Sequence, residues 1–247
     1  MIRVVQFTLV MAALLIAPAL APAADKVDLL LVLSADVSRS IDHPKFLLQR
    51  EGYATAISDP HVLDAIKSGP QQRIALCYME WSGFGAQKLL IDWALIDGAA
   101  AARKFGDQLL ELPRSFADRT SISGGIEFAS VQMEHAPYEA PRRTIDVSGD
   151  GTNNAGRDVK LARDEALAKG IVINGLVILS DRPVPWNAEH TNPPGGLEKY
   201  YQENVVGGPG AFVLVAENFN SFGRAIIKKL IAEIALLPSS RGAVLLR

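Results

Sequence analysis

From Val27 onward, short apolar runs of strand length alternate with segments whose apolar residues recur at helical spacing. That alternation confines the chain to a mostly parallel sheet covered by helices on both faces, because a strand buried on both sides reads as a nearly continuous apolar run. The first run, Val27 to Ala35, is such a strand. Asp42 and Pro44 then open a helix in which Phe46, Leu47, Arg50, Tyr53, Ala54 and Ile57 follow at helical spacing, with the Arg50 stem expected along the edge of the stripe. Pro60 starts a second short helix that Gly69 closes.

Arg73 to Trp81 and Gln87 to Leu95 are two further strand-like runs, joined only by Ser82-Gly83-Phe84-Gly85-Ala86. So short a link makes an antiparallel hairpin, since a parallel pair needs a crossover of a dozen residues or more. The expected architecture is therefore a doubly wound α/β sheet with one antiparallel edge strand. Helical patterns follow at Ala99 to Leu112 and Ser121 to Met133, then a strand at Thr144 to Ser148 and a helix at Asp158 to Lys169. Ile171 to Leu179 reads as an apolar central strand, Ala211 to Val215 as the last one. Phe219 to Leu236 reads as an amphipathic helix with Phe222, Ile226, Ile227, Leu230 and Ile234 inward and Lys228, Lys229 and Glu233 outward, stopped by Pro238.

Oxygen-bearing residues sit where this topology concentrates ligands. Asp36-Val37-Ser38-Arg39-Ser40 follows the first strand, and Asp150-Gly151 follows the strand ending at Ser148. In an open parallel sheet, ligands bind beyond the carboxyl ends of strands whose connections diverge. If these two strands are neighbours, their loops meet there, and the chain after the hairpin returns Thr120, ahead of Ser123-Gly124-Gly125, to the same edge. Two carboxylates and three hydroxyls, with no Cys or His among them, suit a hard cation such as Mg²⁺.

Asp36-x-Ser38-x-Ser40, Thr120 with its following glycines, and the strand-borne Asp150-Gly151 resemble the metal-ion-dependent adhesion site of the von Willebrand factor A domain. The order of elements from Val27 to about Leu237 is similar to that domain, and the chain also resembles small exported bacterial members of the group. The resemblance implies a Rossmann-like fold in which Ser38, Ser40 and Thr120 bind Mg²⁺ directly (Mn²⁺ or Ca²⁺ being alternatives), with Asp36 and Asp150 bound directly or through water. It further implies a coordination position open to an Asp or Glu carboxylate of a protein or peptide partner.

The first residues are expected to lie outside the fold. Arg3, the apolar run Leu9 to Ala17 and the Ala21-Pro22-Ala23 site form the three regions of a secretory signal peptide. Residues 1–23 are thus the expected leader and 24–247 a single domain, core about 27–237, exported to a periplasmic or extracellular location with no integral membrane segment after cleavage. A net charge of −2 gives no electrostatic footprint for nucleic acid. Cys77, within a strand-like run, reads as a buried structural thiol.

Competing readings are open at several positions. Asp36 and Ser38 could cap the first helix. Gly149-Asp150-Gly151-Thr152 is similar to a phosphate-handling loop of some kinases, and a metal-dependent hydrolase or phosphotransferase using Asp36 and Asp150 is the rival function. Neither a Gly-x-Ser-x-Gly elbow nor a His-Glu-x-x-His pair accompanies them, so a non-catalytic module is expected. His190 and Trp186, in the long loop Ser180 to Gly196, and Trp81 and Phe84, at the hairpin, either shape ligand choice or belong to an ordinary loop and core.

Overall fold

The computed structural model describes residues 24–180 and 187–235. The leader assigned to residues 1–23, Trp186 and the stop at Pro238 lie outside the described residues. The strands are β1 (Asp25–Lys26), β2 (Leu30–Asp36), β3 (Ile74–Trp81), β4 (Gln87–Ile96), β5 (Tyr138–Glu139), β6 (Arg143–Gly149), β7 (Val172–Ile178) and β8 (Val213–Ala216). The helices are α1 (His43–Ile57), α2 (Pro60–Lys67), α3 (Ala99–Glu111), α4 (Ile122–Glu134), α5 (Val159–Ala168), α6 (Ala188–Thr191), α7 (Leu197–Asn204) and α8 (Phe222–Ala235).

Six strands form one sheet in the order β4-β3-β2-β6-β7-β8, parallel except for the β3–β4 hairpin, which puts the antiparallel strand at an edge as expected. β1 and β5 form a separate two-stranded ribbon. Alternation along β2 divides the core in two. Leu29, Leu31 and Leu33 pack with Tyr53 of α1, Ile66 of α2, Phe105 of α3 and Phe222 of α8. Leu30 and Val32 pack on the other face with Ile126 of α4, Ala162 of α5 and Tyr201 of α7.

The order places β2 between β3 and β6. The chain leaves β2 toward β3 and leaves β6 toward β7, so the carboxyl ends of β2 and β6 form the switch point. Ala35 pairs with Ser148, which brings Asp36 and Asp150 beyond adjacent strand ends. The first helix is capped by Asp42, whose Oδ1 accepts the Lys45 N–H at 3.0 Å, so Asp36 and Ser38 are not consumed as caps.

Three expectations are corrected. Lys229 and Glu233 face inward, not outward, because α8 packs over β7 and β8 beside β6, where Asp146 is buried and needs a cation. Arg50 is buried rather than lying along an edge, its guanidinium donating to Glu80 Oε1 from Nε at 2.9 Å and from Nη2 at 2.7 Å. The run from Ile171 is neither wholly apolar nor at the sheet centre: β7 lies one strand from the edge, and its Asn174 is buried, bonding Glu233 and the backbone of Phe212. Cys77 is buried with its thiol pKa pushed above its usual range by that burial, as a structural thiol should be. Among the described residues, no helix is long and apolar enough to cross a membrane.

Candidate metal centre

The loop after β2 is built by its own side chains. Asp36 Oδ1 accepts the Ser38 N–H at 2.7 Å, a tight turn that sends the Ser38 and Ser40 hydroxyls the same way, 3.2 Å apart. Arg114 fixes the turn from outside by donating from Nη2 to the Val37 and Ser38 carbonyls at 2.6 and 2.9 Å. Below it, Gln49 of α1 donates to the Asp36 carbonyl at 3.2 Å.

The second loop meets the first directly. Ser40 Oγ donates to Asp150 Oδ1 at 2.5 Å, across the β2–β6 boundary. Gly149 allows this approach: a Cβ there would stand 2.6 Å from the Tyr201 hydroxyl and 3.1 Å from Asp36 Oδ2. Asp36, Ser38, Ser40 and Asp150 are all buried. Thr120, ahead of α4, reaches the same edge, because the Arg39 N–H donates to the Asp118 carbonyl at 2.8 Å and the Ser121 N–H to the Ser82 carbonyl at 2.7 Å. Ser40 and Thr120 line one groove of about 310 Å³ with Arg39, Arg119, Asn154 and His190. The five expected residues therefore converge: four are linked by direct bonds, and Thr120 stands on the shared groove wall.

The electrostatics are those of an anionic site short of positive charge. Burial first, and then the neighbouring Asp150, push the Asp36 carboxyl up to about 8. Asp150 is pushed up to about 6, again chiefly by burial, with the Ser40 hydrogen bond and Lys45 acting the other way. Lys45 Nζ lies 3.9 Å from Asp150 Oδ2 and donates to the Ser40 carbonyl at 3.0 Å, so it offsets part of one charge. Among the described residues, Asp36 Oδ2, Asp150 Oδ2 and the Tyr201 hydroxyl are buried without a hydrogen-bond partner. Orphaned buried oxygens at this density are costly unless something fills the space between them. The donor set, all oxygen with two carboxylates, fits a hard divalent cation.

Sequence reasoning left His190 open, and the structure brings it in: it is 5% exposed and its Nε2 lies 3.2 Å from Thr120 Oγ1. Burial lowers its pKa, which keeps the ring neutral at pH 7. Trp81 is core, buried against Gly125, whereas Phe84 stands 77% exposed at the hairpin tip. Lys45, Arg114, Asn154 and Tyr201 were missed. Asn154 had a visible signal in the polar run Thr152-Asn153-Asn154 straight after Asp150-Gly151, and Lys45 stands in the first turn of α1 only five residues after Ser40, but Arg114 and Tyr201 are distant in sequence.

The profile of a protein family described as "Protein of unknown function (DUF1194)" matches residues 26–238. No curated protein matches the chain. Solved structures with the same fold include the pilus adhesin SpaC from Lactobacillus rhamnosus GG in its open conformation (11% identity, TM-score 0.58, covering 86% of this chain and 31% of that one). Proximal thread matrix protein 1 from the mussel byssus, with a zinc-occupied MIDAS motif, is 16% identical with a TM-score of 0.54, covering 86% of this chain and 48% of that one. A von Willebrand factor type A protein from Catenulispora acidiphila is 13% identical with a TM-score of 0.51, covering 85% and 43%. The chain thus spans less than half the length of each of these proteins. At such identities the likeness establishes the fold, which is that of the von Willebrand factor A domain.

Proposed function

This chain belongs to the family described as "Protein of unknown function (DUF1194)", and within it we propose that the chain acts as a metal-dependent recognition module. In this reading Asp36, Ser38, Ser40, Thr120 and Asp150 hold one divalent cation, Mg²⁺ by preference and Mn²⁺ or Ca²⁺ as substitutes. Residues 24–247 are the working domain, exported to the periplasm or beyond after loss of residues 1–23.

The observation that carries the reading is the pair of buried oxygens, Asp36 Oδ2 and Asp150 Oδ2, unbonded among the described residues, beside two serine hydroxyls at the sheet's switch point. A bound divalent cation supplies an electrophilic position for an anionic oxygen from outside. The chain's own residues do the rest. Asp36 and Asp150 furnish the charge, the serine turn fixes the hydroxyls, and the groove beside Ser40 and Thr120 gives access from solvent. An Asp or Glu side chain of a protein or peptide partner is the natural ligand for such a site. A pilus adhesin and a byssal matrix protein among the proteins of similar fold agree with a role in binding other proteins. Hydrolysis or phosphotransfer is less well supported, because neither a Gly-x-Ser-x-Gly elbow nor a His-Glu-x-x-His pair accompanies the two carboxylates in the sequence.

Capture tests this. The chain, immobilised in Mg²⁺, should retain partners from an exported-protein extract and release them in chelator, and changing one partner carboxylate to its amide should abolish retention. Thr120→Ala should weaken capture more than it weakens cation binding. Undiminished capture in chelator would show that ligand binding does not pass through this site.

A further inference from the structure

Thr120, Asn154 and His190 close a ring of three hydrogen bonds whose directions can be assigned. The backbone N–H of Thr120 can only donate, so the Asn154 side-chain atom 2.9 Å away is its carbonyl oxygen, Oδ1. The other end of that amide, Nδ2, lies 3.2 Å from His190 Nδ1, and an amide nitrogen can only donate. His190 Nδ1 is therefore an acceptor, and the Thr152 hydroxyl, 3.3 Å from the same atom, is free to turn toward it as a second donor. In a neutral imidazole the proton then sits on Nε2, 3.2 Å from Thr120 Oγ1, which accepts it. Backbone bonds brace the ring: Asn154 N–H donates to the Thr120 carbonyl at 2.8 Å, and Thr152 N–H to the His190 carbonyl at 2.9 Å.

We propose that this ring is a cation-selectivity device: Asn154 holds His190 with its proton on Nε2, so the imidazole donates to Thr120 and is kept from binding the cation as a nitrogen ligand. The inference rests on the cation reading above and goes beyond it. An imidazole with a bare nitrogen against a hydroxyl ligand would favour Zn²⁺ or Co²⁺, whereas an all-oxygen shell favours Mg²⁺ and Mn²⁺. The Nε2 proton removes that competition, and it consumes one lone pair of Thr120 Oγ1 while leaving the other for a cation. His190 and Asn154 are thus positioning residues, acting through Thr120.

The tautomer is read by ¹⁵N–¹H NMR of the imidazoles of the full chain, metal-free and with Mg²⁺, His190 being identified by the signals lost in His190→Gln. The expected result is a proton on Nε2 in both states. Asn154→Asp keeps the acceptor for Thr120 N–H but replaces the donor facing Nδ1 with a second acceptor, so the proton should move to Nδ1. The ratio of Zn²⁺ to Mg²⁺ affinity should then rise about tenfold or more, the scale on which residues behind a metal shell act. Reading the ratio cancels the general effect of the added negative charge. A wild-type proton on Nδ1, or an unmoved proton in a folded Asn154→Asp, overturns the proposal, and the wild-type measurement stands even if that variant does not fold. Expected tautomers in a wild-type chain that binds neither Mg²⁺ nor Zn²⁺ would instead overturn the cation reading, and the selectivity role with it.

Discussion

Lys229 and Asp146 form an ion pair in the interior, Nζ of the helix residue lying 2.8 Å from Oδ1 of the strand residue, with neither side chain exposed. Glu233, one turn further along α8, bonds the same ammonium and accepts from Asn174 Nδ2 at 2.9 Å. One cation thus serves two carboxylates beneath β6, and β6 is the strand that carries Asp150 to the candidate site. The triad joins the last helix to the strand on which the site depends.

Removing that cation should be severe. Lys229→Met leaves Asp146 and Glu233 buried without a counter-charge, a change expected to cost about 3–5 kcal/mol. Urea denaturation measures it. Adding Asp146→Asn and Glu233→Gln to Lys229→Met should recover most of the loss, and a cost below about 1 kcal/mol for the single variant would mean that the pair is not held as described.

The same triad sets a pH dependence. Burial, ahead of the opposing pull of Lys229 and the added push of Asp146, raises the Glu233 carboxyl to about 7, against an ordinary value of 4.5. A carboxyl raised on folding contributes stability that is fully present below about 4.5 and lost as pH rises through about 7. The groups facing it are Lys229 on its own helix, Asp146 from β6 (also raised by burial), Asn174 from β7, Tyr53 from α1 (kept protonated by burial) and Arg142, which bonds the Glu233 carbonyl at 2.8 Å. Wild type should therefore lose stability relative to Glu233→Gln between pH 5 and pH 8. Parallel unfolding curves for the two proteins across that range would contradict this.

Gly151 is expected to tolerate no side chain. A Cβ there would lie 2.2 Å from Cε1 and Nε2 of His190, so Gly151→Ala must push the imidazole off Thr120, at about 1–3 kcal/mol. Gly98→Ser, at the N-cap of α3 where a Cβ meets nothing within 4 Å among the described residues, is the control and should change stability by no more than about 0.5 kcal/mol. Thermal denaturation of the two variants checks the difference; equal melting temperatures would remove His190 from the place assigned to it.

The sheet and the serine turn were legible because both follow from local pattern. Apolar runs mark buried strands, and the spacing Asp36-x-Ser38-x-Ser40 places alternate side chains together whatever lies around them. What escaped was set by contacts between elements. Helical periodicity sorted Lys229 and Glu233 by polarity and put them in solvent, since nothing on α8 itself announces that Asp146 waits across the interface. Arg50 was misplaced for the same reason, its partner Glu80 lying on β3. Asn174 was overlooked inside an apolar run, although a polar residue there is the visible sign of a buried network. The contact of His190 with Thr120 is made between two loops, where periodicity carries no information.

Calorimetric titration of Mg²⁺, and separately of Mn²⁺, into wild type and Asp150→Ala tests the central claim most directly. The account predicts one binding site in the wild-type chain and no measurable binding in Asp150→Ala, because that change removes one of the site's two carboxylates together with an oxygen, Oδ2, that has no hydrogen-bond partner among the described residues. An unchanged affinity in a folded Asp150→Ala would contradict it, and would move the cation away from Asp36, Ser38, Ser40, Thr120 and Asp150 altogether.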